Sequence, residues 1–310
     1  MTADMVDEIL YRTEEVFGAN PDAVHECVLQ EALSTILLGV TNRAIAGKQL
    51  ARSDDYTRTV KDFIAALPRQ AVKMDSLTPT LLKPFLAPLL AREPRRLSRA
   101  ADAFLLPMVR KHLTDACAGE GSMHHEERHP DVIQLMARFA AKSSDARDHD
   151  ARNLSSRLLA LSFVGVHTST AAAINGLVAI LGAGPELWVA LREEAVAALK
   201  ASVGNVWSKA TVARLPLLDS TLRESMRVMA FKGRGVEREV VAREGVTLPD
   251  GTFLSCGTKV GVPTIGIQLD ERFYERPDEF IHDRFVGKAE MGMVNTTDTF
   301  LAFGHGRHAW

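Results

Sequence analysis

Phe300-Leu301-Ala302-Phe303-Gly304-His305-Gly306-Arg307-His308-Ala309-Trp310 sets two glycines and three basic or titratable side chains directly after an apolar run. Glycine allows backbone to approach a ligand closely. With His305, Arg307 and His308 interleaved, the stretch suits a loop lying against a flat, anionic ligand. Composition alone suits a disordered chain terminus equally well.

Working back from that stretch, Pro277-Asp278-Glu279-Phe280-Ile281-His282-Asp283-Arg284-Phe285 offers a further guanidinium, Arg284. Before it, Val236–Val241, Val246–Phe253 and Lys259–Pro263 are short and rich in β-formers, with the turn signal Pro249-Asp250-Gly251 between two of them. Earlier still, Leu217–Met229 reads as a helix carrying Glu224-Ser225-Met226-Arg227. Spacing i,i+3 puts Glu224 and Arg227 on one face, where they can pair. Most such pairs are exposed and contribute little. Leu217, Leu218, Leu222 and Val228 flank this one and tilt it toward burial, and a buried pair needs further partners. Arg284 can supply one.

The stretch Leu158–Pro185 contains no Asp, Glu, Lys or Arg. Its length suffices to cross a bilayer. His167, Thr168, Ser169, Thr170 and Asn175 lie near its middle, however, where polar groups are costly against lipid. The reading is therefore a long helix threading the core of a soluble domain. Gly184-Pro185 ends it and opens the next helix, Glu186–Ala201. Within the long helix, Gly165 leaves space one turn from Thr168, whose hydroxyl can bond back to a carbonyl. The pair can form a notch for a small ligand. The plainer reading is a packing glycine beside a satisfied core His167 and Thr168.

The first half is also helical in pattern. Val24–Val40, Tyr56–Leu67 and Leu97–Leu113 carry apolar residues at helical spacing, and Pro84 and Pro88 break Leu81–Leu90 into short turns. Glu120–Asp131 reads as a polar surface loop. It contains His125-Glu126-Glu127-Arg128-His129, a match to the zinc-protease pattern HExxH. Gly119, Gly121 and Pro130 frame the match, no apolar stripe surrounds it, and no Glu follows before Glu186 as a third ligand. It reads as solvated polar chain, and no metal site is assigned.

Composition excludes other classes. Lys plus Arg is 37 against Asp plus Glu 39, so nothing favours nucleic acid. Cys27, Cys117 and Cys256 are widely spaced, which excludes a disulfide framework and fits a reducing compartment. The start, Met1–Glu8, is acidic, without an apolar run, and reads as neither signal peptide nor membrane anchor. The fold class expected is mainly α with a small β region: one incomplete domain over 1–310, mainly helical over 1–229 and strand-bearing over 230–310.

The order and spacing of these features resemble the cytochrome P450 family, its fungal members most of all. Leu161–Thr170 resembles the oxygen-binding stretch of the family's long central helix. Glu224 and Arg227 match its ExxR, and Arg284 in the PxxFxxxRF segment matches the third member of that triad, with His282 where proline is usual. Phe303–Ala309 matches the haem-binding loop, which continues in the family with Cys-Pro-Gly.

The resemblance implies a haem-thiolate monooxygenase with haem b, in which a Cys thiolate favours O–O cleavage. It implies that Thr168 helps protonate bound dioxygen and that His167 joins that relay. It places Gly165, Phe303, Gly306 and His308 against haem, His308 at a propionate. It makes Glu224, Arg227 and Arg284 a structural triad. The partners implied are dioxygen, a lipophilic small-molecule substrate (terpenoid-like, in secondary metabolism) and an NADPH-dependent reductase at the cytosolic face of the endoplasmic reticulum. Membrane association is expected of the full-length family, with no anchor read in this chain.

Counting from Phe303 and Gly306, the ligand Cys belongs at Trp310, and an indole N–H only donates. The expectation is thus a chain truncated at both ends, poor at binding haem and inactive. The alternative is a non-catalytic helical remnant or partner-binding pseudoenzyme.

Overall fold

The computed structural model describes residues 2–20, 23–76, 79–118, 130–231, 233–288 and 290–309. The HExxH match at 125–129 lies outside the described residues, as does Trp310. The described chain is mainly helical, with two small two-stranded antiparallel sheets. It divides into two compact units, Met1–Thr170 and Ala171–Trp310. The division falls inside a helix, whereas the change from helical to strand-bearing texture comes later.

The first unit holds α1 (Thr2–Phe17), α2 (Leu29–Ala51), α3 (Asp54–Ser76), α4 (Lys83–Leu90), α5 (Arg92–Cys117), α6 (Val132–Lys142) and the start of α7 (Ala151–Ala183). Its core joins Leu38, Ile45 and Leu50 of α2 to Tyr56, Val60, Phe63 and Ile64 of α3. Leu97, Leu105 and Val109 of α5, Ile133 of α6, and Leu154, Leu158, Leu159 and Val166 of α7 complete it. Removing such side chains from water contributes about 1.5–3 kcal/mol each. Asp131 caps α6, its carboxylate accepting from the Gln134 N–H at 2.9 Å.

Against expectation, Val24–Val28 is not helical; helix begins at Leu29, and Val24 is 96% exposed. An apolar spacing buries nothing without an opposing face. Leu81–Leu90 folds as a 3₁₀ turn, Thr80–Leu82, followed by α4. Pro84 sits in the first turn of α4, where a missing N–H is not needed. α3 also runs past the expected end at Leu67, straight through Pro68.

α7 is one continuous helix. By length and composition it is apolar enough to cross a membrane, a test that core helices also pass. The expectation of a helix sheathed by core holds on one stripe only. Just 22% of its most apolar window is buried, because a 3.6-residue period turns one face at a time toward a packed layer.

The second unit takes the end of α7, then α8 (Pro185–Lys200), α9 (Lys209–Val212) and α10 (Pro216–Val228). Ile180, Leu187 and Leu191 form its apolar centre, with Leu217, Leu218 and Phe280 against them. Strand β1 (Gly235–Glu239) pairs with β4 (Lys259–Val262), and β2 (Val246–Thr247) pairs with β3 (Phe253–Leu254). The short helix α11 (Thr264–Gln268) follows β4, and an irregular segment continues to a 3₁₀ turn at Gly306–His308. The irregular backbone from 269 to 301 needs partners outside any sheet or helix. Turns within the segment supply many of them, and side chains of α10 supply others.

Candidate functional site

One face of α10 is buried although it carries charge. Arg223, Glu224, Ser225 and Arg227 are each no more than 1% exposed. Arg227 pairs fork-to-fork with Glu224: Nε donates to Oε2 and Nη2 to Oε1, both at 2.8 Å. Its remaining N–H groups reach backbone carbonyls, Nη1 to Gln268 and Pro277 (both 2.7 Å) and Nη2 to Glu279 (3.1 Å). All five guanidinium donors are therefore used. The Tyr274 ring lies 4.8 Å from the guanidinium carbon.

Glu224 Oε1 also accepts the Ile281 N–H at 3.1 Å and Arg284 Nε at 2.9 Å. Arg284 donates onward to the carbonyls of Glu275 (2.6 Å) and Arg276 (3.2 Å). Two guanidinium groups thus share one carboxylate, and the carbonyl dipoles of 268 and 275–279 take up the excess positive charge. Burying ions is favourable only when every donor and lone pair finds a partner, and here the partners are the backbone of the loop itself. The pair therefore dictates the path of 275–284. Within that loop Arg276 adopts φ +48°, a conformation costly for a non-glycine residue, and its carbonyl accepts from Arg284 Nη2.

Other side chains continue the attachment toward Phe303. Asp219 accepts the Met293 N–H at 2.9 Å, and Ser220 accepts the Phe285 N–H at 3.0 Å. Arg223 donates to the carbonyls of Gly292 (2.6 Å) and Asn295 (2.7 Å) and lies 3.8 Å from the centre of the Phe300 ring. Burial pulls its pKa below that of an ordinary arginine. Gln268, fully buried, donates from Nε2 to the carbonyls of Met226 (3.2 Å) and Arg227 (2.9 Å), while its Oε1 accepts the Leu301 N–H at 3.0 Å. Tyr274 Oη donates to the Thr299 carbonyl at 3.0 Å. Sequence reasoning missed Arg223, Gln268 and Tyr274. No spacing signal marks them, because their partners are main-chain atoms tens of residues away.

Beyond Leu301 the chain turns at Gly304 (φ +78°) and Gly306 (φ +75°), where β-carbon-bearing residues are strained. Among the described residues, no atom beyond its chain neighbours lies within 4 Å of where a Gly306 Cβ would stand. His305 Nε2 sits 3.0 Å from Asp298 Oδ1. Phe303 is partly buried, and the His308 side chain lies outside what the structure describes.

In the first unit, Thr168 donates its hydroxyl to the Val164 carbonyl at 2.8 Å. A Cβ on Gly165 would stand 3.6 Å from Thr41 of α2, an ordinary packing contact. His167 Nε2 lies 3.3 Å from the Ile64 carbonyl of α3.

The open glycine turn at 304–306 fits the rim of a flat cofactor such as haem. The donor set does not fit a thiolate-ligated one. Cys27, Cys117 and Cys256 are exposed thiols outside this loop, and the position counted for the ligand is tryptophan. Among the described residues no group of three or more His, Cys, Asp or Glu side chains could hold a metal ion.

Comparison with known proteins follows the same lines. The model of one family, described as cytochrome P450, matches residues 2–309. Cytochrome P450 monooxygenase gloP of Glarea lozoyensis is 30% identical over 92% of this chain and 56% of its own length. Cytochrome P450 monooxygenase polB of Polytolypa hystricis is 27% identical over 98% of this chain and 61% of its own. Cytochrome P450 monooxygenase 103 of Postia placenta is 30% identical over 99% of this chain and 60% of its own. The chain thus spans about 56–61% of the length of these relatives. A solved structure, retinoic acid bound cyanobacterial CYP120A1, superposes with a TM-score of 0.65 at 17% identity, over all of this chain and 63% of that one. That likeness is one of fold.

Proposed function

Because the chain belongs to the cytochrome P450 family, we propose that it carries the structural core of a fungal-type monooxygenase acting on a lipophilic, terpenoid-like small molecule of secondary metabolism. We propose further that, with Trp310 at the ligand position, this polypeptide does not itself perform the oxidation. The observation carrying the reading is the buried network on α10, in which Arg227 and Arg284 share Glu224 and hold the backbone of 275–281. A network this costly to bury persists where a loop must be held to one path. The path it holds leads to the glycine turn that matches the haem-binding loop.

In this reading Glu224, Arg227 and Arg284 are structural, and Phe303, Gly306 and His308 border the haem. Gly165 and Thr168 belong to the dioxygen-facing stretch of α7, with Thr168 presenting a hydroxyl for proton delivery and His167 beside it. Dioxygen, an NADPH-dependent reductase and the cytosolic face of the endoplasmic reticulum are the proposed co-substrate, partner and location. No oxygen-activating step is assigned to residues that lack the thiolate. Trp310 favours a second reading, a non-catalytic helical protein that keeps the fold and binds a partner.

The test supplies the purified chain with haem, a fungal reductase, NADPH and a panel of terpenoids. The expected result is no substrate-dependent product, together with a cooperative thermal melt. Product formation by the unaltered chain would overturn the proposal of inactivity, and a chain that does not melt cooperatively would remove the second reading.

A further inference from the structure

We propose that His167 is a positioning residue whose imidazole replaces the hydrogen bond that Pro68 removes from α3, pinning the Thr168 stretch of α7 to the core of the first unit. The pin stands on geometry alone; only its consequence for proton delivery rests on the reading of that stretch given above.

Helix α3 runs unbroken from Asp54 to Ser76 with Pro68 inside it. Proline has no N–H, so it cannot make the helical bond to the carbonyl four residues back, and an interior proline costs a helix about 3 kcal/mol. The carbonyl left without its helical donor is that of Ile64, a residue only 4% exposed. His167 Nε2 stands 3.3 Å from that oxygen. A carbonyl oxygen only accepts, so Nε2 carries the proton. The following carbonyl, Ala65, accepts from Arg69 Nε at 3.1 Å. Only the Ile64 carbonyl loses its helical donor to the proline, and His167 is the side chain that serves it.

The imidazole is oriented as well as bonded. Phe163, one turn earlier on α7, meets it edge to face, with ring centres 5.1 Å apart and planes at 77°. In the neutral ring, Nε2–H leaves Nδ1 as the acceptor, so Nδ1 is the only ring nitrogen free to take a proton from a neighbour. His167 then acts on proton delivery by fixing where Thr168 stands, and the Nε2 side is closed to a relay.

A double-mutant cycle tests the pin on the full chain without cofactor. Pro68→Ala restores the N–H that the Ile64 carbonyl lacks. His167→Phe, which keeps the ring contact with Phe163 but removes the donor, is expected to lower the melting temperature by about 3–6 °C in the Pro68 background. In the Pro68→Ala background the expected loss is less than half of that. Equal losses in both backgrounds would overturn the proposal. Should His167→Phe fail to fold, long-range ¹H–¹⁵N correlation on the histidine-labelled wild-type chain decides the matter. The Nε2–H tautomer is expected for neutral His167, with a weaker preference in Pro68→Ala. A neutral Nδ1–H ring at His167 would overturn it. None of these readouts depends on haem, so the pin and the proposed activity can fail independently.

Discussion

Replacing Arg227 with methionine is expected to destabilise the second unit by about 3–5 kcal/mol, the usual effect of removing one partner from a buried ion pair. Methionine fills much of the volume but donates nothing. Glu224 would keep only Arg284 as a cation, and the carbonyls of Gln268 and Pro277 would lose their Arg227 donors at 2.7 Å. At roughly 2–4 °C per kcal/mol for a domain of this size, the melt should fall by about 10 °C. Arg227→Lys keeps the charge and loses the fork. A single ammonium cannot serve one carboxylate and three separated carbonyls at once, so it should recover less than half of the loss. A melt for Arg227→Met within a degree of wild type would show that the network does not hold the fold.

The second large effect is expected at Gln268. Gln268→Leu preserves size but removes the acceptor for the Leu301 N–H and the donor to the carbonyls of Met226 and Arg227. A buried donor left unsatisfied costs about 1–3 kcal/mol, so a total of about 2–4 kcal/mol is expected. Amide exchange at Leu301 should accelerate more than exchange in the middle of α10. Gln268→Glu provides a signed control. A carboxylate there would face two carbonyl oxygens at neutral pH, whereas its protonated form donates to one of them. Burial and those oxygens raise the folded-state pKa of the introduced group, so the variant should gain stability relative to wild type as pH falls through that value. A pH-independent difference would show that residue 268 does not face those carbonyls.

These two sites differ in how far the sequence announces them. Glu224 and Arg227 are legible because helical periodicity places i and i+3 on one face, and apolar neighbours on both sides signal burial. Arg284 is legible as a candidate because a buried pair needs a further partner, and the resemblance of its segment points to the same residue. Gln268 is not legible at all, since an amide bonding main chain 33 and 41 residues away leaves no local pattern. Arg223 shows the same limit, as its helix neighbours do not reveal that its partners are the carbonyls of residues 292 and 295. Pro68 marks a weak point in a helix, yet the side chain that repairs it lies 103 residues beyond the carbonyl it serves. Conversely, Val24–Val28 carries a helical pattern that is not used. Periodicity states which face would be buried, and only tertiary packing supplies the surface that buries it. The helices α5 and α8 follow their patterns closely, because each apolar stripe finds a core to meet, whereas α10 keeps its expected extent but buries a mostly polar face.

The most direct test of the account is the ferrous–carbon monoxide spectrum of the purified chain, taken after adding haem and reducing it with dithionite, beside the same spectrum for Trp310→Cys. No thiolate-type red-shifted Soret band is expected from the chain with Trp310, and that band is expected to appear once a thiol stands at residue 310. A thiolate-type band from the unaltered chain would contradict it.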